Sequence, residues 1–76
     1  MKDLILVTKI QLTTNPKTKS MFFKKCNIGD VLCITSRINN GLKYVDISNY
    51  TTGQITTMLV GNFIRTLQTL NYIIIG

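Results

Sequence analysis

Val31-Leu32-Cys33-Ile34-Thr35-Ser36-Arg37-Ile38-Asn39-Asn40-Gly41-Leu42-Lys43-Tyr44-Val45-Asp46-Ile47-Ser48-Asn49 contains two β-rich runs joined by an Asn-Gly pair. A two-residue type I′ hairpin turn requires positive φ at both central positions, and Asn followed by Gly meets that requirement best. With Asn40-Gly41 as the turn, Ile38 faces Lys43, Arg37 faces Tyr44, Ser36 faces Val45, Thr35 faces Asp46, Ile34 faces Ile47, Cys33 faces Ser48 and Leu32 faces Asn49. The two faces then separate. Leu32, Ile34, Val45 and Ile47 form an apolar set, and Cys33, Thr35, Arg37, Tyr44, Asp46 and Ser48 a mostly polar one. A slip of one residue would mix the sets, so the alternation supports the register.

Upstream, Gly29-Asp30 is expected to turn the chain into the first of these strands, residues 31–38, because Gly accepts positive φ and Asp bonds nearby amides. Residues 13–20 carry no apolar side chain and include Pro16, which predicts a loop. Residues 1–12 alternate imperfectly, with Leu4, Leu6, Thr8 and Ile10 on one side and Ile5, Val7, Lys9 and Gln11 on the other, as a first strand would. Between loop and turn, Phe22 and Phe23 would point to opposite faces of a strand, one of them into the core.

Downstream, residues 49–53 read as a second turn and residues 54–60 as a fourth strand, ended by Gly61-Asn62. Asn62 is an expected N-cap, and Phe63, Ile64, Leu67 and Leu70 recur at helical spacing; a start near Thr57 is the alternative, because Leu59 extends the stripe. Asn71 is expected to stop the helix, and residues 72–75 to form a last strand. There is one domain, residues 1–76, since so short a chain buries a single core.

Composition agrees with this plan. Eleven Ile, eleven Thr and four Val, with no Ala, favour strands over helices, although an AT-rich coding sequence would also produce part of the bias. The predicted fold is mainly β: a small five-stranded antiparallel Src-homology-3-like barrel with one short helix before the last strand. An OB-fold-like barrel is the alternative, but its helix belongs between the third and fourth strands, where only Thr51-Thr52-Gly53 is available. A barrel of this size is marginal unless it closes or pairs through an open edge with a second copy.

The chain resembles a group of small accessory proteins encoded by large tailed bacteriophages of the T-even type. The resemblance rests on Phe22-Phe23, Ile28-Gly29-Asp30-Val31, Tyr44, Asn49-Tyr50-Thr51-Thr52-Gly53 and the Phe63 to Leu67 stretch, and covers roughly residues 20–75. It implies a phage origin and a compact β fold, and brings no activity or functional residue with it.

Seven Lys and two Arg oppose three Asp, with neither Glu nor His, for a net charge of +6. Without His or Glu most acid–base schemes and metal cages lack parts, so no enzyme, no metal site and no cofactor are expected. Asp30 is read as a turn residue rather than a catalytic acid, because nothing beside it in sequence could serve as base or nucleophile. Cys26 and Cys33 are expected to be reduced thiols in a cytosolic chain, in the host cytoplasm if phage-encoded. No window approaches the roughly 18 apolar residues of a membrane helix, so no membrane partner is expected.

Two surface groups could bind a partner. Lys17, Lys19, Lys24 and Lys25 flank Phe22 and Phe23, which joins phosphate-neutralising charge to a ring able to stack on a base. The plainer reading has both Phe in the core and the lysines merely solvated. Arg37 opposite Tyr44 on the outer hairpin face, with Tyr50 expected nearby, is the second group, and its plainer reading is a cross-strand pair shielding the sheet. The leading expectation is a non-enzymatic basic module that binds nucleic acid chiefly through the phosphate backbone. The alternatives are an accessory protein anchored by Tyr44, Tyr50 and Arg37 on an acidic host or phage protein, and a self-associating structural component.

Overall fold

The computed structural model describes residues 7–17 and 21–76. The expected strand positions 1–6 therefore lie outside the described residues, as do residues 18–20 and with them Lys19. Five strands, β1 (Val7–Leu12), β2 (Val31–Asn39), β3 (Leu42–Asn49), β4 (Ile55–Leu59) and β5 (Tyr72–Ile74), form one antiparallel sheet in the order β4-β3-β2-β1-β5. Two helices interrupt them, α1 (Met21–Lys24) and α2 (Val60–Leu67). The last strand lies beside the first and the short helix falls between β4 and β5, which is the Src-homology-3-like plan and not that of the OB-fold. The curl is barrel-like, but among the described residues β4 and β5 are not bonded to each other and the sheet is not closed.

The β2–β3 hairpin has every residue pair that its alternation predicts, from Leu32 opposite Asn49 to Ile38 opposite Lys43. Its turn is left-handed at both central residues, with φ +52° at Asn40 and +78° at Gly41. This satisfies the type I′ requirement and matches the twist of the flanking strands.

The core lies against one face of the sheet. Ile10 and Leu12 of β1, Leu32 and Ile34 of β2, and Val45 and Ile47 of β3 are buried together with Phe23, Cys26, Phe63 and Leu70. Alternation accounts for the strand contributions, because residues two apart share a face.

Three expectations are corrected. Phe22 and Phe23 do not lie on a strand: they occupy a single helical turn, in which neighbours are separated by about 100° rather than 180° and can lean the same way. Phe23 is fully buried, and Phe22 packs against it edge to face, with ring centroids 5.1 Å apart. Gly61-Asn62 does not end β4 and cap a helix. Leu59 has extended backbone at the helix start and makes no side-chain cap, and Gly61 and Asn62 lie inside α2. The stripe Val60, Phe63 and Leu67 packs on the core and outweighs the roughly 1 kcal/mol that Gly costs within a helix. Finally, α2 ends at Leu67, and Asn71 ties down the first loop: its Nδ2 donates to Thr14 Oγ1 at 3.1 Å and its carbonyl accepts from the Thr13 N–H at 2.9 Å.

Candidate nucleic-acid interface

One end of the barrel is built from the end of β1, the 13–17 loop, α1, the 27–30 turn and the 50–53 turn. Two buried polar residues hold these pieces together. Asp30 Oδ2 accepts the Asn27 backbone N–H at 2.9 Å and Asn49 Nδ2 at 2.9 Å. Asn49 Oδ1 in turn accepts the N–H groups of Thr51 at 2.9 Å and Thr52 at 3.1 Å. A charged side chain, 5% exposed, thus bonds across the core to an amide that is 1% exposed and organises the next turn. Burial on this scale is tolerable because Asp30 Oδ2 has two donors.

The surrounding backbone completes the frame. Gly29, at φ +90°, donates to the Leu12 carbonyl at 2.8 Å, and Leu12 donates back to the Asp30 carbonyl at 3.0 Å. Asn15 Oδ1 accepts the Ile28 N–H at 2.7 Å, which ties the loop carrying Lys17 to the turn after α1. Cys26, buried beneath this turn, receives a second bond from Asn49 Nδ2, at 3.4 Å. Burial pushes its thiol above the ordinary range; the Asn49 bond opposes this and the Asp30 charge adds to it, so the group is a neutral thiol. Neither Cys26 nor Cys33 is in a disulfide.

Lys17, Lys24 and Lys25 are exposed on this frame. Tyr50, 60% exposed, stands at the neighbouring turn with Lys9 Nζ 5.5 Å from its ring centroid. Hydrogen bonding to the Cys33 thiol, then the charge that thiol can carry, hold the Tyr50 hydroxyl above its ordinary range, so it stays protonated. Beside the lysines a cleft of about 310 Å³ is lined by Met21, Phe22, Lys25, Gln54, Ile55 and Thr56. Gln54 Oε1 is buried there without a hydrogen-bond partner. Such an orphaned acceptor costs about 1–3 kcal/mol.

Arg37 and Tyr44 belong to a different place. Tyr50 lies six residues beyond Tyr44, which along a strand is about 20 Å, so the three predicted partner residues do not converge. Arg37 does lie over Tyr44, 5.4 Å from the ring centroid, but its Nε donates to Asp46 Oδ2 at 2.8 Å. Thr57 Oγ1 donates to the other carboxylate oxygen at 2.6 Å. The Arg37 bond and then the Thr57 bond hold the Asp46 carboxyl below its ordinary value, and Asp46 pushes Arg37 upward. This cation is already matched.

Sequence reasoning missed Asn49 and Gln54. The hairpin register does place Asn49 opposite Leu32 on the apolar face, which is the one signal that could have singled it out. Gln54 has no sequence signal, because its orphaned oxygen depends on how α1 packs beside β4. Among the described residues, no group of three or more Cys, Asp, His or Glu could hold a metal, and no helix is long and apolar enough to cross a membrane. Compared with protein-family models, curated proteins and solved structures, the chain matches none.

Proposed function

We propose that this chain is a non-enzymatic binding module, phage-encoded, that holds nucleic acid by its phosphate backbone at the α1 end of the barrel. One observation carries the reading. Of the acids in the described residues, Asp30 is buried and Asp46 is engaged by Arg37, so the exposed Lys17, Lys24 and Lys25 face no free carboxylate. An uncompensated cationic end attracts a polyanion and gains affinity by releasing its counterions. Lys19 belongs to the same run of sequence, and Tyr50 offers an exposed ring beside Lys9.

The test is fluorescence anisotropy with a labelled oligonucleotide across a salt series. Four lysine–phosphate contacts give a log–log slope of about −3 to −4. Changing Lys17, Lys19, Lys24 and Lys25 together to Ser is expected to abolish binding while circular dichroism shows an unchanged fold. Salt-insensitive binding, or none to either DNA or RNA, overturns the proposal.

A second reading is self-association, favoured by one feature. β5 is an outer strand of the sheet, and Ile73, Ile74 and Ile75 are 50%, 70% and 47% exposed on it and just after it. Such an edge can template a strand from a second copy. Light scattering would then report about twice the 8.6 kDa chain mass.

A further inference from the structure

We propose that the cleft between α1 and β4 receives one unpaired base, so that the module prefers single strands to duplex. The inference rests on the phosphate-binding reading and adds to it a base subsite with a named polar contact.

Three properties of the cleft point to such an occupant. Its walls are apolar and accessible: Met21 and Ile55 are each 71% exposed, and the Phe22 ring is partly so. A planar base can cover these surfaces, since stacking on a side chain needs only a π-face. Its rim carries Lys25, next in sequence to Lys24, so a strand held by its phosphates passes the opening. Gln54 is one of its lining residues, and the Oε1 of that side chain is a buried acceptor with no partner.

The backbone of Gln54 is already fixed, its carbonyl accepting the Asn49 N–H at 2.7 Å and its N–H donating to Thr52 Oγ1 at 3.3 Å. Its side-chain oxygen, covered in the free protein, lacks a donor that a base entering the cleft could supply. A base supplies that donor from its Watson–Crick edge only when unpaired, and a duplex presents neither this edge nor an open face. At about 310 Å³ the cleft falls at the low end of ligand sites, which run from about 300 Å³, and this suits one base rather than a stack. A free carboxylate would meet Lys25 equally well but would place a second acceptor against Gln54 Oε1.

The experiment compares four labelled ligands of equal length at one salt concentration: oligothymidine, oligothymidine with N3-methylated bases, an abasic sugar–phosphate strand and a blunt duplex. Oligothymidine is expected to bind at least tenfold tighter than the abasic strand or the duplex, and several-fold tighter than its N3-methyl form, which has lost the donor. Gln54→Leu is expected to bind the two thymidine ligands alike. The free Gln54 side-chain oxygen makes no hydrogen bond, so this variant should retain the fold, and the ligand series on the unaltered protein tests the idea independently. Equal affinity for all four ligands with the salt slope intact overturns the base subsite and leaves the phosphate reading standing. Persistent N3-methyl discrimination in Gln54→Leu overturns the role of Gln54. No binding to any ligand overturns both.

Discussion

Asn49→Ala is expected to destabilise the protein by about 3–5 kcal/mol. The bond from Asn49 Nδ2 to the Asp30 carboxylate, at 2.9 Å between side chains 1% and 5% exposed, is charge-assisted and accounts for about 1.5–3 kcal/mol. The two turn amides held by Oδ1 contribute about 1 kcal/mol each, partly recovered from water because that turn is exposed. Removing the amide also leaves Asp30 Oδ2 with the Asn27 N–H alone. A loss of this size is a large fraction of the 5–15 kcal/mol typical of small domains. Asn49→Asp separates the contributions. It keeps an acceptor for the two turn amides but sets a second carboxylate against Asp30, and two such groups resist ionising together. The folded variant pair then binds a proton more tightly than the unfolded chain does. Its stability is therefore lowest at pH 7 and rises as pH falls toward 4. Urea unfolding followed by circular dichroism at both pH values reads the difference. If Asn49→Asp matches Asn49→Ala at pH 7 and gains nothing on acidification, the Asp30–Asn49 bond does not hold this end together.

Phe23→Ala should cost about 3–5 kcal/mol, because the ring is fully buried, while Phe22→Ala should cost less than half as much; denaturation midpoints in the reverse order would contradict the packing of α1. Gly41→Ala should cost about 1–2 kcal/mol in the same assay, since the residue sits at φ +78° with open space around a new Cβ and the penalty is purely conformational. The Arg37–Asp46 pair lowers the folded carboxyl, so its contribution is present above pH ~4 and lost as pH falls through the lowered value. Asp46→Asn should flatten that acid limb of a stability–pH curve, with only a small loss at neutral pH because the pair lies at the surface, with side chains 45% and 33% exposed.

The hairpin was legible because two independent local rules coincide there: the φ requirement of Asn40-Gly41 and the parity of four apolar residues give the same register. α1 was not legible, since Met21-Phe22-Phe23-Lys24 is too short for a period to emerge and becomes helical only because Phe23 has a core to enter. The start of α2 was misread for a related reason. Gly61 and Asn62 advertise a break, but their local preference yields to the burial of Phe63 and the packing of Val60 against the core. In the candidate site the lysine run is visible as sequence, whereas the lack of an opposing carboxylate among the described residues appears only once Asp30 is seen inside the core and Asp46 paired with Arg37.

The placement of β5 sets an order for assembly. β2, β3 and β4 are joined by short turns, whereas among the described residues β5 pairs with β1 alone, through contacts such as Ile75 N–H to the Lys9 carbonyl at 2.8 Å. Closing so long a stretch of chain carries a larger entropic cost than zipping a hairpin, so this seam forms after the central meander and opens before it. Native-state hydrogen exchange should accordingly find the Ile75 amide opening at a lower free energy than those of Val45 and Ile47. The outer strand is thus a late-closing clasp on a sheet whose centre is already set.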